Sequence, residues 1–232
     1  MSEKIIGILG GMGPEATVDL FHKIIKATSV GNDQEHLRII IDNNPKIPDR
    51  TDAILGKGED PLPALQNTAK NLEKAGADFI IIPCNTAHYF LPSIEKSVRI
   101  PIMNMIEETA KEVKHENANV KKVGLLASMG TYKTGIYYQQ FKKYNIETIY
   151  PDDKDKDEVL KAIYAVKAGK LSKNIKENIL KITERLIDKG VEAIIAGCTE
   201  IPLILKKEDI TVLLVDSTQI LAESAVKKAN CS

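Results

Sequence analysis

Short apolar runs and longer amphipathic stretches alternate along the whole chain, and this pattern predicts strands and helices in turn. Apolar residues at helical spacing fill most of the segments between the short runs. Runs of strand length occupy residues 4–9, 37–42, 80–83, 100–105, 120–127, 146–150, 193–197 and 211–216. Strands that alternate with helices predict an α/β fold, built on mostly parallel sheets that are flanked by helices.

Three segments between the strands carry more specific predictions. After the glycine-rich turn at residues 10–13, a helix is predicted to bury Val18, Phe21, Ile24, Ile25 and Thr28. The segment NNPKIPDRTD (43–52) is rich in Pro, Asn and Asp, which predicts an exposed and mobile loop. A later long helix is expected to direct four residues inward, namely Ile175, Ile179, Ile182 and Leu186.

The two halves of the chain resemble copies of one unit. KIIGILGGMG (4–13) aligns without a gap with KKVGLLASMG (121–130), so three positions recur: Gly7 as Gly124, Met12 as Met129, and Gly13 as Gly130. Each half also ends an apolar run in a cysteine, Cys84 in IIIPCNTAH and Cys198 in AIIAGCTEIP. Features that repeat in the same order indicate an internal duplication, with one turn and one thiol in each half.

Composition and charge narrow the classes of function. The chain has 232 residues, 43% of them apolar and 28% charged, as is ordinary for a globular protein. A formal net charge of zero without a dense basic block argues against a nucleic-acid surface. The apolar runs are too short to cross a membrane, and the N-terminus does not resemble a signal peptide. Three cysteines make no disulfide framework, so we expect a cytoplasmic protein in which Cys231 is a terminal thiol without a role.

The paired cysteines are the main candidates for chemistry. Ligands of open parallel sheets bind beyond the carboxyl ends of the strands, where both Cys84 and Cys198 are expected. Backbone N–H groups at such turns bind a carboxylate and favour a thiolate, and Asn85, Thr86 and Thr199 can donate to the same anion. If the halves face each other, one thiolate removes a proton from a carbon acid and the other thiol returns one from the opposite side.

That chemistry belongs to a racemase or epimerase, and it requires neither a metal nor a pyridoxal cofactor. A single cysteine in such a place is more often a buried structural residue. Equivalent placement in both halves favours the catalytic interpretation.

A rival signal lies in the first turn. Gly11-x-Gly13-x-x-Ala16 follows a strand and opens a helix, as in dinucleotide-binding folds, although Asp42 lies somewhat far along the chain for the ribose contact. An NAD(P)-binding oxidoreductase is therefore the alternative from another class. No spacing of His, Cys and acidic residues predicts a metal site, and His88, four residues after Cys84, is expected to serve packing.

The motifs PCNTAH and GCTEIP, together with ILGGMGPEAT, resemble the signatures of the aspartate/glutamate racemase family, and the resemblance runs nearly end to end. It implies two similar, pseudo-symmetric α/β domains with the active site in the cleft between them. The first domain would comprise residues 1–103 and 215–232, and the second would comprise 104–214. Homodimers are common in the family, and its members need no cofactor.

The resemblance also implies roles for individual residues. Cys84 and Cys198 would be the two acid/bases, and Arg50 and Lys167 would bind substrate carboxylates. From the sequence alone, an arginine or lysine in such a position is most often just solvated. Six more residues would line the cleft: Met12, Asn85, Thr86, Ser128, Thr199 and Glu200. Glutamate racemases of cell-wall synthesis carry an acid–serine pair near Met12 and a histidine in place of Glu200, and this chain has neither.

The expected activity is therefore racemisation of aspartate, with glutamate as a second candidate substrate, by proton transfer between two cysteines. Three related activities stay open within the superfamily: a maleate isomerase, a hydantoin racemase and an arylmalonate decarboxylase. A non-catalytic protein that binds carboxylates is a further alternative.

Overall fold

The computed structural model describes residues 3–116 and 119–230, so Cys231 lies outside the described residues. The chain divides into two units: Met1–Glu108 with Thr218–Ser232 form unit 1, and Thr109–Ser217 form unit 2. Each unit is built on one sheet flanked by helices, and every strand pairing in both sheets is parallel. The predicted α/β fold with parallel sheets is thus confirmed.

The sheet of unit 1 has the strand order β2-β1-β3. Its strands are Ile6–Gly10 (β1), Ile39–Asn43 (β2) and Phe79–Ile81 (β3). The helices of this part are Pro14–Ala27 (α1), Arg50–Ile54 (α2), Leu62–Lys74 (α3) and Leu91–Glu95 (α4), with 3₁₀ turns at Asp33–Glu35 and Thr86–Phe90. The next helix, Met105–Glu116 (α5), begins in unit 1 and continues into unit 2. The strand predicted at 100–105 is reduced to one bridge between Ile80 and Ile102. Pro101 has no N–H group to donate to a ladder, and α5 already begins at Met105.

The sheet of unit 2 has the order β5-β4-β6-β7. Its strands are Lys122–Ala127 (β4), Glu147–Ile149 (β5), Ala193–Gly197 (β6) and Leu213–Asp216 (β7). The helices are Met129–Thr134 (α6), Ile136–Lys142 (α7), Asp153–Lys167 (α8), Lys173–Asp188 (α9) and Ile201–Ile204 (α10), with a 3₁₀ turn at Lys207–Asp209. The chain then returns to unit 1 through the helix Ser217–Asn230 (α11).

Strand β1 is buried on both faces, as expected for a central parallel strand. Ile6 and Ile8 belong to a core cluster that includes Leu20 of α1 and Leu221 of α11. Leu9 belongs to a second cluster, which contains apolar residues of α3 and also Met12 and Cys84. The glycine turn and the first cysteine are therefore anchored in the same core, on the same side of the sheet.

Helix α1 buries only part of the predicted set of residues. Its buried residues are Ala16, Thr17, Leu20 and Ile24. Ile24 and Thr28 are buried as predicted, but Val18 is 62% exposed, and Phe21 and Ile25 are also exposed. The helix carries apolar residues on two stripes, and the stripe formed by Leu20 and Ile24 is the one that packs on β1. The prediction for Val18, Phe21 and Ile25 was wrong for this reason.

The segment 43–52 was predicted to be exposed, and this is also wrong in part. It leads into α2, whose first turn is capped by Asp49: the carboxylate accepts hydrogen bonds from the N–H groups of Thr51 (2.8 Å) and Asp52 (3.0 Å). Ile47 is 4% exposed and joins the core cluster of Met12 and Cys84. A proline-rich segment can fold back on the core when a cap and one apolar anchor hold it.

The two units repeat several specific contacts. A Cβ atom on Gly7 would lie 3.4 Å from the Cβ of Leu72, and one on Gly124 would lie 3.4 Å from the Cβ of Leu186, so both glycines admit a closely packed helix. An acidic side chain also binds the backbone at the start of each first strand. Asp78 accepts from the N–H of Ile5 (2.6 Å), and Glu192 accepts from those of Lys121 (2.6 Å) and Lys122 (3.0 Å).

Candidate active site

In unit 1, the first cysteine lies just beyond the carboxyl end of β3. The N–H of Cys84 donates to the carbonyl of Ile82 (2.8 Å), which turns the chain sharply after the strand. Cys84 is 7% exposed, and Asn85 and Thr86, which lead into the 3₁₀ turn, are also buried. A thiol and two polar side chains are thus held at one strand end, largely out of water.

The imidazole of His88 links the turn at Cys84 to the start of α5. The N–H of Met105 donates to His88 Nε2 (3.0 Å), so Nδ1 carries the ring proton and donates to the carbonyl of Cys84 (2.9 Å). Burial lowers the pKa of His88 to about 4, so the ring is neutral near pH 7. The packing role expected from the sequence is present, but the tether between Cys84 and the start of α5 was not foreseen.

Met12 and Arg50 lie at the same edge of the unit 1 sheet. Ile8 of β1 pairs with Ile81 of β3, so the turn that carries Met12 and the turn that carries Cys84 leave the sheet on the same side. Met12 is 3% exposed and belongs to the core cluster of Cys84. Helix α2, which begins at Arg50, packs against the 3₁₀ turn that follows Cys84.

Arg50 is a buried cation, 7% exposed, although the sequence alone gave no reason to expect burial. Its Nη1 donates to the carbonyls of Ile47 (3.2 Å) and Pro48 (2.9 Å). Its Nε has no hydrogen-bond partner among residues 3–116 and 119–230. A buried guanidinium with an unused donor can bind an anion such as a carboxylate.

The glycine turn of unit 1 is in close contact with Thr17 and Asn44. The N–H of Gly11 donates to Thr17 Oγ1 (2.9 Å), and the backbone of Asn44 covers Gly11 so closely that a Cβ atom would overlap it. Asp42 accepts a hydrogen bond from Asn71 Nδ2 (3.1 Å). In a dinucleotide-binding turn the first glycine makes the tight turn and the second lets the backbone approach the pyrophosphate. The close contact at Gly11 and the open space at Gly13 are therefore features that both kinds of site share.

In unit 2, Cys198 directly follows β6 and is 9% exposed. Its Sγ donates to Glu200 Oε2 (2.9 Å), and Thr199 Oγ1 donates to the same oxygen (3.2 Å). Thr199 and Glu200 are both buried. The second thiol is therefore in direct contact with a carboxylate.

Ser128 is the neighbour of Cys198 along the sheet edge. Ala127 of β4 pairs with Gly197 of β6, and Ser128 and Cys198 are the next residues of the two strands. Ser128 is buried and caps α6, with its Oγ accepting from the N–H of Thr131 (3.2 Å). The turn that corresponds to the glycine turn of unit 1 thus presents a hydroxyl beside the second thiol.

Lys167 is exposed and ends α8, with its Nζ 5.6 Å from the ring centroid of Tyr164. Arg185 near the end of α9 pairs with Asp155 near the start of α8 (2.7 Å), so the two helices are antiparallel. Because α9 ends where β6 begins, the last turn of α8 lies toward the carboxyl end of β6. Lys167 therefore belongs to the same end of unit 2 as Cys198.

The residues predicted for the site thus form two groups at carboxyl ends of strands. In unit 1 the group consists of Met12, Arg50, Cys84, Asn85 and Thr86, and in unit 2 it consists of Ser128, Lys167, Cys198, Thr199 and Glu200. Cys84 and Cys198 are both thiols and form no disulfide. Within residues 3–116 and 119–230, no three His, Cys, Asp or Glu side chains converge as a metal would need, and no helix is long and apolar enough to span a membrane.

A family model and a curated relative both match this chain, and both are racemases. The Asp/Glu/Hydantoin racemase family model matches residues 9–225. The broad specificity amino-acid racemase RacX of Bacillus subtilis (strain 168) is 30% identical over 229 residues, 96% of either chain.

Solved structures extend the comparison. The aspartate racemase of Picrophilus torridus is 36% identical, with a TM-score of 0.82 over 97% of this chain and 94% of that chain. The glutamate racemase of Francisella tularensis, in complex with D-glutamate, has a TM-score of 0.72 over 97% of this chain and 80% of that chain. Because its identity is only 22%, it shows a shared fold alone.

Proposed function

Because the chain belongs to the Asp/Glu/Hydantoin racemase family, we propose that it interconverts L- and D-aspartate without a cofactor, with glutamate as a further substrate to test. Racemases are isomerases, and the family alone assigns the chain to that class of enzyme. The proposal adds the substrate and the pair of groups, Cys84 and Cys198, that transfer the proton.

The observation that carries the proposal is the equivalent position of the two thiols. Cys84 follows the strand that pairs with β1, and Cys198 follows the strand that pairs with β4, in two units that repeat the same contacts. Buried structural cysteines need no such equivalence, and they need no polar neighbours such as Asn85 and Thr199. A reaction that removes a proton from one face of a carbon and adds one to the other needs an acid/base on each side of the substrate.

In the proposed reaction, one cysteine thiolate removes the α-proton of the bound amino acid, and the electron pair stays on the substrate as a carbanion. The opposite thiol then donates its proton to the other face of the same carbon, which inverts the stereocentre. The two thiols have exchanged protonation states at the end, and the reverse reaction uses them in the opposite order. The proposal requires the two groups of site residues to face one substrate from opposite sides.

The proposed substrate class rests on the cations and on the relatives. Arg50 is buried at the start of α2, the helix that packs on the turn after Cys84, and its unused Nε suits a carboxylate. Lys167 supplies a second cation at the corresponding end of unit 2. The similarity to an aspartate racemase supports aspartate, and the similarity to a broad specificity racemase supports a test of other amino acids.

The test is racemisation by the purified protein without added cofactor, followed by chiral separation of aspartate, glutamate and neutral amino acids. We expect turnover of aspartate, and a loss of about 10²–10⁴-fold in Cys84→Ala and in Cys198→Ala. Cys231→Ala is the matched control and should keep full activity. Racemisation that survives both active-site substitutions, or binding of aspartate without any turnover, would contradict the proposal.

Two further features remain proposals. We expect a homodimer, as in the family that the sequence resembles, and sedimentation equilibrium of the purified protein tests it. We also expect a reducing compartment such as the cytoplasm, because the proposed chemistry needs both cysteines as thiols. A stable disulfide in protein purified from its native cells would contradict this expectation.

A further inference from the structure

We propose that a second copy of this chain binds to the outer side of α1, with the two α1 helices antiparallel about a two-fold axis close to Phe21. The inference rests on the homodimer named under the proposed function, because it assigns that homodimer its interface. It is independent of the racemase activity, since none of the residues involved belongs to the two groups of site residues.

Helix α1 carries an exposed row of apolar side chains, which we call the outer stripe: Val18, Phe21 and Ile25. Val18 is 62% exposed, and the other two are also exposed. Because the three residues are spaced by three and four positions, their side chains lie in one row along the helix. Single exposed apolar residues are ordinary, but a contiguous exposed row marks a surface that binds a partner.

The outer stripe continues on the neighbouring edge of the sheet. Strand β2 is the edge strand of the order β2-β1-β3. Ile39 packs against the core cluster of Leu20 and Ile24, whereas Ile40 packs against the other cluster. Side chains alternate along a strand, so the exposed Ile41 lies on the same face of the sheet as α1. A standard interface buries about 800 Å² on each copy, so this continuation matters for its size.

The opposite flank of α1 offers no comparable surface. Asp19 and Lys23 lie on that flank, are partly buried and form an ion pair with each other (2.6 Å). Ala16, on the same flank, is buried. The flank that carries the outer stripe is therefore the one that a partner can cover.

The charges beside the outer stripe favour a second copy as the partner. Glu15 and Lys26 are exposed near opposite ends of α1. They lie about three full turns apart, so both border the stripe on the same side. In an antiparallel pair centred on Phe21, Glu15 of one copy faces Lys26 of the other, and Val18 faces Ile25. The surface is thus complementary to itself, as a two-fold interface requires.

The same charges oppose a parallel pair of helices. In that arrangement Glu15 would meet Glu15 of the other copy, and Lys26 would meet Lys26. The antiparallel pair instead forms two contacts between opposite charges, one at each end of the interface.

Cross-linking tests the position of the two-fold axis. In a Cys231→Ser background, Phe21→Cys places one thiol of each copy beside the axis, and mild oxidation should join the copies, because a disulfide needs Cα atoms within about 7 Å of each other. Tyr138→Cys, at an exposed aromatic residue of unit 2, is the matched control and should form no cross-link. Val18→Cys alone should also form none, because the two copies of this position lie about 9 Å apart along the helix axis. Co-expressed with Ile25→Cys, it should cross-link to position 25.

Sedimentation equilibrium over a range of concentrations tests the contribution of the outer stripe. Phe21→Glu brings two negative charges together at the axis and should raise the dissociation constant of the dimer by about 10-fold or more. Tyr138→Glu makes the same change on another exposed aromatic residue and should leave the dissociation constant as in the native protein. Circular dichroism verifies that both variants are folded.

Charge exchange tests the orientation, and it also serves if Phe21→Glu does not fold. Glu15→Lys and Lys26→Glu each create two contacts between like charges and should raise the dissociation constant by about 3-fold. The double variant restores opposite charges across the axis and should return to the native value. A double variant as weak as the sum of its parts overturns the antiparallel arrangement.

The remaining outcomes separate this inference from the proposals on which it rests. A native protein that is monomeric at every concentration overturns both the interface and the homodimer, and it leaves the outer stripe to a different partner. A dimer that neither Phe21→Glu weakens nor Phe21→Cys cross-links overturns the interface alone. Racemisation is measured on the same samples, and a protein that dimerises through α1 but racemises nothing supports the interface and overturns the proposed function.

Discussion

At the scale of single residues, Arg50 both stabilises its own segment and offers an unpaired donor. Its Nη1 ties the carbonyls of Ile47 and Pro48 and so stabilises the segment that leads into α2, while Nε remains without a partner in the described part of the chain. A buried donor that stays unpaired destabilises a protein by about 1–3 kcal/mol. A bound carboxylate would remove that cost, which makes Arg50 a sensitive probe of substrate binding.

We expect Arg50→Lys to raise KM for aspartate by about 10-fold or more with a smaller change in kcat, because lysine keeps the charge but loses the planar set of donors. Steady-state kinetics in both directions measure the effect. Arg38→Lys, at an exposed arginine of the same unit, is the control and should behave as the native protein. Equal KM values in the two variants would show that Arg50 does not bind the substrate.

The sequence predicted Cys84 and Cys198 because each ends a strand in a repeated motif, and this pattern is independent of distant contacts. It did not predict the burial of Arg50, which depends on how Asp49 caps α2 and on how Ile47 reaches the core. It named Glu200 as a residue of the site but gave no sign that its carboxylate contacts Cys198. Such contacts depend on side-chain directions after the strand, which spacing alone does not determine.

At the scale of elements, the turn between β1 and α1 is fixed by close packing. Gly11 has φ +97°, and any side chain there would overlap the backbone of Asn44. Gly76 has a similar φ, +94°, but open space around it. The two glycines therefore separate the effect of backbone conformation from the effect of packing.

We expect Gly76→Ala to lower the free energy of unfolding by about 1 kcal/mol, because a positive φ is unfavourable for alanine. Gly11→Ala should cost about 1–3 kcal/mol more, because Asn44 and the segment behind it must also move. Urea unfolding of both variants measures the difference. Equal losses of stability would show that the contact between Gly11 and Asn44 is not tight.

The tether made by His88 predicts a dependence of stability on pH. The folded protein holds the pKa of His88 at about 4, against about 6.5 in an unfolded chain, so between these values the unfolded state binds a proton that the native state does not. Stability should therefore fall as pH decreases from about 6.5 toward 4, by up to about 3 kcal/mol from this residue.

Urea unfolding of the native protein and of His88→Asn across this pH range tests the tether. The variant should be less stable near pH 7, and its stability should decline less toward pH 4. His22→Asn, at an exposed histidine of α1, is the control and should keep the native decline. A decline that is just as steep in His88→Asn would show that another group causes it.

The elements also show what a hydrophobic pattern can and cannot predict. The period of the pattern identified α1 and the inner face of α9, where Ile179, Ile182 and Leu186 are buried as predicted. It did not separate the buried stripe of α1 from the exposed one, because Phe21 and Ile25 are spaced for a helix face just as Leu20 and Ile24 are. When two apolar stripes share one helix, only the position of the sheet decides between them.

At the scale of the whole molecule, the duplication explains why the chain has two equivalent thiols. Each unit contributes a parallel sheet, a turn after its first strand and a thiol after a neighbouring strand. The sequence predicted this organisation well, because the repeat appears in its glycines and cysteines. The two copies have diverged where Thr86 and Glu200 occupy the same position of the motif, so the second thiol has a carboxylate beside it.

The central claim is that the two thiols exchange the α-proton of aspartate, and its most direct test is the reaction in heavy water. Purified protein is incubated with L-aspartate in deuterium oxide without added cofactor, and the enantiomers are separated and weighed by mass spectrometry. The account predicts D-aspartate that carries deuterium at Cα, formed only when both Cys84 and Cys198 are present. Aspartate that gains no deuterium, or D-aspartate that keeps the original proton, would contradict it.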